Sequence, residues 1–257
     1  MTPAARLVVA VVAALALLPG VVAVILHMPR FGDHPLPYGD AINRLAPVER
    51  HVTNMVTAVN FDYRGFDTLG EEFILFISVV GVTLLLRRQK QETEDEDGGE
   101  KDESPKRNVP DPSSATKVLT LGLIGPLVLF GLYVVLHGQL TPGGGFQGGV
   151  ILATAPLLVY LAGDLKAFKH ITSHTLIEVA EAAGAGGYVA IGLAGLVMGA
   201  NFLQNILPLG KTGAINSAGT IFLISVSVGL EVAAGFVLLL HAFLEQTLEI
   251  QLRGSKK

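Results

Sequence analysis

The chain contains no cysteine and no tryptophan, and only 16% of its 257 residues are charged. Without Cys there is no disulfide framework, no thiolate zinc site, no Cys-ligated iron–sulfur cluster and no covalent c-type haem. Soluble domains of this length carry about 25% charged residues. The shortage is sharper than the average suggests, because nine of the 22 acids and seven of the 18 bases fall between Arg87 and Lys117. Long charge-free stretches flank that segment. With 50% hydrophobic residues and a mean hydropathy of +0.54, the composition excludes an ordinary soluble globule. It indicates an all-α polytopic membrane protein. The formal net charge of −4 offers no electrostatic reason to expect nucleic acid. The apolar runs are long and continuous, which excludes a β-barrel built from alternating segments. No H-E-x-x-H spacing supports a transition-metal site, and no Ser-His-Asp arrangement has motif context.

Six segments are expected to span a bilayer, two before the charged stretch and four after it. Leu7–Leu26 is charge-free; only Arg6 precedes it and no A-x-A cleavage site follows, so it reads as a span and not as a signal peptide. The others are Leu69–Leu86, Val118–Leu136 with Pro126 inside it, the short Phe146–Ala162, Leu176–Phe202 and Ala214–Leu244. Six spans place both termini on one side. That side then carries thirteen Lys and Arg residues against five on the other. The excess of bases makes both termini cytoplasmic.

Residues 89–117 divide the chain into parts 1–88 and 118–257. Glu92–Glu103 holds eight acids and one Lys, followed by Pro105, Pro110 and Pro112. No apolar periodicity offsets the entropy of ordering, so the segment reads as an acidic, disordered cytoplasmic linker. An acidic docking tail or a cation collector is the alternative. In the outer loop 29–68, Asn43–Asn60 carries Leu45, Val48, Val52, Met55, Val56 and Val59 at helical spacing. That is the pattern of a surface helix, a helix packed on a partner, or an extension of the second span.

Two motifs border the spans. Asn60–Glu72 is a charged turn in which Asp67 or Thr68 can cap a helix, Glu71 and Glu72 enter its first turns, and Arg64 can pair with Asp62 or Asp67. His137–Gly149 contains Pro142, Gly143, Gly144, Gly145, Gly148 and Gly149. Its glycines permit a tight turn and close helix approach. It lacks the Lys-Ser/Thr of a phosphate loop.

The candidates for chemistry are the acids inside spans. Glu231 lies deep in the last run, with Ser227 one turn before it. An unpaired charge at that depth costs several kcal/mol. A proton relay or cation ligand fits, and so does a protonated Glu bonded to a neighbouring helix. Glu178 and Glu181 share a helix face. Thr175 and Glu178 fit a capping box, whereas Glu181 lies a turn deeper and fits a cation entry path. Glu71 suits a cap or a pathway, and Glu72 reads as the more solvated neighbour. Asp62, Arg64 and Asp67 read as a structural turn or subunit contact. For His137 a proton role or an interfacial hydrogen bond fits. Gly184, Gly186, Gly187, Gly192, Gly195 and Gly199 read as helix packing.

His137–Gly149 resembles the H-G-x-x-x-P-G-G-G-F-x-G-G signature of the MnhB-like subunits of the Mrp multisubunit cation/proton antiporters. Asn205–Gly210, Ser217–Thr220 and Val228–Gly235 are similar to the same family, so the resemblance covers nearly all of 118–257. Asp62–Glu71 looks like the two-span E-type domain that closes the large A-type subunits of such antiporters or stands alone in membrane-bound hydrogenases. The resemblance implies a non-enzymatic membrane subunit with no cofactor, working in ion transport and pH homeostasis at a prokaryotic plasma membrane. Na⁺ (or another monovalent cation) and H⁺ are the implied transported ions. The implied partners are the A-, C-, D-, E-, F- and G-like subunits within the lipid bilayer, the largest resembling the proton-pumping subunits of complex I. A scaffold without a transport role, or the same module in a redox-driven pump, are the competing readings.

Overall fold

The computed structural model describes residues 3–28, 36–86, 112–163 and 165–255, and every regular element in them is helical. In chain order these are α1 (Pro3–His27), α2 (Pro37–Glu49), α3 (Met55–Ala58), which continues as a π-helical turn over Val59–Tyr63, and α4 (Gly65–Leu86). Then come α5 (Ser114–Leu136), α6 (Gly145–Leu161), α7 (Leu165–Ile171), α8 (His174–Val197) and α9 (Thr220–Ser255). Five helices are long and apolar enough to cross a membrane: α1, α4, α5, α8 and the Thr220–Leu244 part of α9. The expected fourth span is the 17-residue α6. At 1.5 Å per residue it measures about 25 Å, short of a roughly 30 Å hydrocarbon core. Five helices of clear spanning length and one shorter apolar helix thus stand where six spans are expected. The glycine loop fixes where α6 starts, and Gly163, at φ 88°, turns the chain just past its end.

Other boundaries shift for local reasons. Most of the expected acidic linker lies outside the described residues, but its end is helical. The Ser113 hydroxyl accepts the Thr116 N–H at 3.1 Å and starts α5 ahead of Val118. Helix α8 stops at Val197 rather than reaching Phe202. Gly199, at φ 77°, ends it, with the Ala200 N–H returning to the Gly195 carbonyl at 2.9 Å and the Gly199 N–H to Leu196 at 3.0 Å. The last helix begins at Thr220 and not at Ala214. Helix α4 begins at Gly65, ahead of the caps expected at Asp67 or Thr68.

By its contacts the chain divides into residues 1–41 and 42–257. The first unit holds α1 and the beginning of α2. In the second, α9 packs on α8, α6 and α4, α5 packs on α6, and α4 also touches α8. Helix α9 is the centre: 56% of its apolar window is buried, against 17–33% for α4, α5 and α8. Ile221, Ile224, Val228 and Val232 from α9 meet Tyr188, Leu69, Phe61 and Val52 in the core. The apolar stripe expected along Asn43–Asn60 does not form. Val52 is buried, while Leu45, Val48 and Val56 are exposed. The helix breaks between Glu49 and Met55, with His51 at φ 50°, and the break resets its phase.

Within this unit the connections gather at two ends. At one end the segment 50–64, the glycine loop and residues 200–219 bond to one another. At the other, Gly163 faces Pro112, and Phe168 stacks on His241 with ring centroids 6.1 Å apart. Successive long helices therefore run in alternating directions between a loop end and an opposite end.

Candidate functional site

The loop end is built around two asparagines. Asn54 caps α3 through its side-chain oxygen, and its amide nitrogen donates to the carbonyls of Gly138 at 2.8 Å and Thr141 at 3.0 Å. Thr57 adds a 2.7 Å bond to Gly138, and the backbone N–H groups of Thr53 and Asn54 reach the Gln139 carbonyl at 3.0 and 3.1 Å. The glycine loop is thus clasped by residues some 80 positions earlier. Gly143 and Gly144 lie at φ 145° and 150°, a region open to glycine. A side chain at Gly145 would overlap the α9 backbone, with a Cβ 2.8 Å from the Gly229 nitrogen. One at Gly149 would lie 2.8 Å from the Gly229 carbonyl oxygen, and one at Gly148 2.8 Å from that of Gly131. The loop is a packing and backbone-bonding device.

Asn205 holds the other side. Its side-chain oxygen accepts the Thr220 N–H at 2.9 Å, capping α9, while its nitrogen donates to Asp62 at 3.2 Å. Asp62 pairs with Arg50 at 2.8 Å, and Arg64 with Asp67. Burial works against the Arg50 charge, but the bond to Asp62 and its negative charge outweigh this and hold the guanidinium above its ordinary value. Burial, and then the hydrogen bond to Glu49, push the Tyr63 phenol up. These residues border an open cavity of about 440 Å³ that also includes Phe66, Phe202 and Gln204. Its charges are matched in pairs, so it presents no net field to select an ion.

Three buried carboxyl groups lie beneath. Glu72 on α4, Glu181 on α8 and Glu231 on α9 are 5%, 4% and 1% exposed. Among the described residues, one oxygen of Glu72, one of Glu181 and both of Glu231 have no hydrogen-bond partner. Glu231 is within electrostatic reach of Glu72 and then Glu181. All three therefore belong to the α4–α8–α9 seam. Their order follows from the packing. Tyr188 donates to the Gly65 carbonyl at 2.9 Å near the loop end. Gly184 faces Glu231, where a Cβ would lie 2.7 Å from the Glu231 Cα and Cβ. Gly235, one turn beyond, faces both Glu181 and Val79. Seven residues separate Glu72 from Val79, about 10 Å of rise. From loop end to opposite end the acids therefore run Glu72, Glu231, Glu181. Among the described residues no three acids or histidines converge as a metal cage, and the packing sets the three carboxylates at successive levels of the seam, as a file. Three buried anions without partners cost far more than a file neutralised by protons or cations.

The other candidates sit apart from the file. Glu71 is exposed and Glu72 is buried, the reverse of the order expected for these neighbours. Glu178 is exposed and lies 3.2 Å from His174. The capping box expected for Thr175–Glu178 is absent because Ser173 occupies the N-cap. His137 ends α5 with its ring stacked on Tyr133 and its Nδ1 3.1 Å from the Tyr133 carbonyl. Glu231 and Glu181 lie where a deep acid was expected. Glu72, read from the sequence as solvated, lies one turn from Thr68 on the face that buries Val79, a face that no polarity pattern along α4 marks. Nothing in the sequence marks the bonding role of Asn54, and Asn205 and Gly235 stand out there only as members of motifs.

A chain of long apolar helices with acids buried between them has the architecture of a multi-pass membrane protein. Residues 115–238 match the domain related to the MnhB subunit of Na⁺/H⁺ antiporters. The B-type Na⁺/H⁺ antiporter subunit of Bacillus subtilis is 38% identical over 107 residues, covering 38% of this chain and 70% of that protein. A chain of the membrane-bound sulfane sulfur reductase, an archaeal respiratory membrane complex, superimposes with a TM-score of 0.71 and 30% identity, over 93% of this chain and 98% of that one. A chain of the Mrp complex from a Dietzia species superimposes with a TM-score of 0.72 and 25% identity, over 94% of this chain but 26% of that longer one. The chain belongs to the MnhB family, the B-type subunits of multisubunit Na⁺/H⁺ antiporters of prokaryotic membranes and their relatives in respiratory membrane complexes.

Proposed function

We propose that this chain is the MnhB-type component of an Mrp antiporter and that Glu72, Glu231 and Glu181 line an ion path through it. The observation that carries the reading is the file of three buried carboxylates with unpartnered oxygens in one helix seam. The transported ions are Na⁺ or another monovalent cation and H⁺. The energetic coupling belongs to large complex-I-like partner subunits, with the smaller subunits of the complex alongside. Residues 1–88 form an E-type module fused ahead of the MnhB-like module at 118–257, and the acidic segment 89–117 links them. Both termini and that linker face the cytoplasm, because the bases concentrate there. In this orientation the loop end faces outward and Glu181 is the acid nearest the cytoplasm. Glu178 and Glu71 then belong to surfaces that meet partners, and His137 to the outer rim.

The test is to replace the three carboxylates together by glutamines in the whole complex. Subunit stoichiometry and cation-dependent dissipation of a pH gradient are measured in inverted vesicles. An intact complex with lost exchange supports the path. An intact complex with parental exchange leaves a scaffold. The likeness to the sulfane sulfur reductase chain over nearly its full length favours a second reading, the same module in a redox-driven pump. Purification from the native membrane separates the two. Antiporter subunits alone establish the first, and co-purifying iron–sulfur or flavin subunits establish the second.

A further inference from the structure

The open cavity at the loop end holds about 440 Å³. At roughly 30 Å³ per water that is room for about fifteen waters, enough for a monovalent cation that keeps its hydration shell. Arg50 is matched by Asp62 and Arg64 by Asp67 on its border. Such a space admits an ion of either sign without holding it.

Gly65 and Leu203 form part of the cavity wall. A Cβ at Gly65 would lie 3.7 Å from the Tyr188 hydroxyl oxygen and 3.8 Å from Leu203 Cδ1. The same hydroxyl donates to the Gly65 carbonyl at 2.9 Å. Tyr188 is fully buried, so it touches this wall from the inside. Phe61 meets its ring edge-on, with centroids 6.4 Å apart. Leu203 holds φ 61° at this point, a conformation uncommon for a leucine. On its inner side the ring adjoins the carboxylates. Tyr188, Gly184 and Glu181 follow one another at about one-turn intervals along α8, and Gly184 touches Glu231. On α4, Gly65 and Glu72 lie on one face about two turns apart. Glu72 is within electrostatic reach of Tyr188. The ring thus stands behind the wall at Gly65 and ahead of the first acid of the file.

Resting on the ion-path reading above, we propose that this cavity is the outer mouth of the path, taking a hydrated monovalent cation, and that the Tyr188 ring is the barrier between it and Glu72. The ion keeps its water in the mouth and meets a closed aromatic wall. Passage requires the ring to leave Gly65, which breaks one tethering hydrogen bond. The net worth of such a bond corresponds to about a fivefold change in the population of the freed ring. Tyr188 acts by position and binds no ion itself.

The chain has no cysteine, so single cysteines introduced into the whole complex report water access. Cells are treated from outside with a membrane-impermeant cationic thiosulfonate, and modification is read as a mass shift of this chain. Phe66→Cys and Gln204→Cys, both in the mouth, are expected to react, and Glu72→Cys is not. Adding Tyr188→Leu to Glu72→Cys opens the barrier and raises the rate of modification about tenfold or more. Adding Tyr188→Phe, which keeps the ring but cuts its tether, raises it about fivefold. Unreactive mouth positions, covered by a partner or by lipid, overturn the mouth, as does reaction only from the cytoplasmic face. Rapid modification of Glu72→Cys with Tyr188 in place overturns the barrier. So does a parental rate in Tyr188→Phe, whether Tyr188→Leu assembles without effect or fails to assemble; Tyr188 is then a packing residue only.

Exchange is then measured in inverted vesicles made from the same cells. Modified Phe66→Cys and Gln204→Cys are each compared with the same variant after a reductant has removed the label. A reversible loss of about tenfold is expected, and no loss in either overturns the mouth. Glu231→Gln run in parallel separates the two levels of the claim. If it abolishes exchange while blocking the mouth does not, the mouth falls and the path stands. If Glu231→Gln is inert, the path itself falls, whatever the labelling shows.

Discussion

The side-chain amide of Asn54 donates to the carbonyl of Gly138 at 2.8 Å across 84 residues of sequence. The bond joins the segment that leads into α4, which carries Glu72, to the loop that sets the start of α6. Helix α4 also packs directly on α8 and α9, so the clasp adds to the stability of this arrangement.

Asn54→Ala removes the donor to Gly138 and Thr141 and the cap of α3. Each such bond contributes about 1 kcal/mol, and a buried carbonyl left bare costs about 1–3 kcal/mol. The expected loss is about 2–3 kcal/mol. It is read as a lower temperature of dissociation of the complex, with exchange activity below that temperature retained. Asn54→Asp, which keeps the cap but not the donor, falls between.

Asp62 is shared by Arg50 and Asn205. Asp62→Ala leaves the guanidinium in a half-buried site without its carboxylate, a loss of about 2 kcal/mol after discounting for its partial exposure. Arg50→Met alone costs less. The double variant is expected to be less damaged than the sum of the two singles, as thermal stability of the purified complex would register. Additive losses would mean that the pair is incidental.

Gly145→Ala places a methyl against the α9 backbone and is expected to prevent assembly or to cost more than about 3 kcal/mol. Gly122→Ala in α5 meets nothing within 4 Å in this chain and contributes about 1 kcal/mol of helix propensity. Expression and thermal stability of the two variants should differ in opposite directions from the parent.

Glu72→Gln replaces a buried acid that has an unpartnered oxygen by an amide of the same shape. Stability should hold or rise slightly, since no ion pair is broken. Exchange should fall about tenfold or more, because the amide cannot pass on a proton or balance a cation. Retained exchange would remove Glu72 from the path.

Much of the membrane architecture is legible because apolar runs with few charges leave little choice of structure. Depth is legible too: Glu231 stands far inside a run of the required length. Facing is not. Glu71 and Glu72 differ by about 100° around α4, and that helix is apolar on all sides, so no periodic signal says which of them turns inward. Only the packing of α4 on α8 and α9 decides it. Helix ends at Val197 and Thr220 depend on a glycine turn and on the cap from Asn205, fifteen residues away. The clasp by Asn54 joins segments whose sequences carry no mutual sign. The loop His137–Gly149 announces its importance through composition, but its role in packing emerges only from the backbones that its glycines touch.

Ion passage is proposed for the carboxylates of the α4–α8–α9 seam. Its most direct test is Glu231→Gln in the intact complex, with Na⁺-driven proton movement measured in inverted vesicles and subunit composition measured in the same preparation. Expected are full assembly and exchange reduced about a hundredfold, with partial recovery in Glu231→Asp. Full assembly with exchange at the parental rate would contradict it, and would leave Glu231 as a buried acid that serves only the packing of α9.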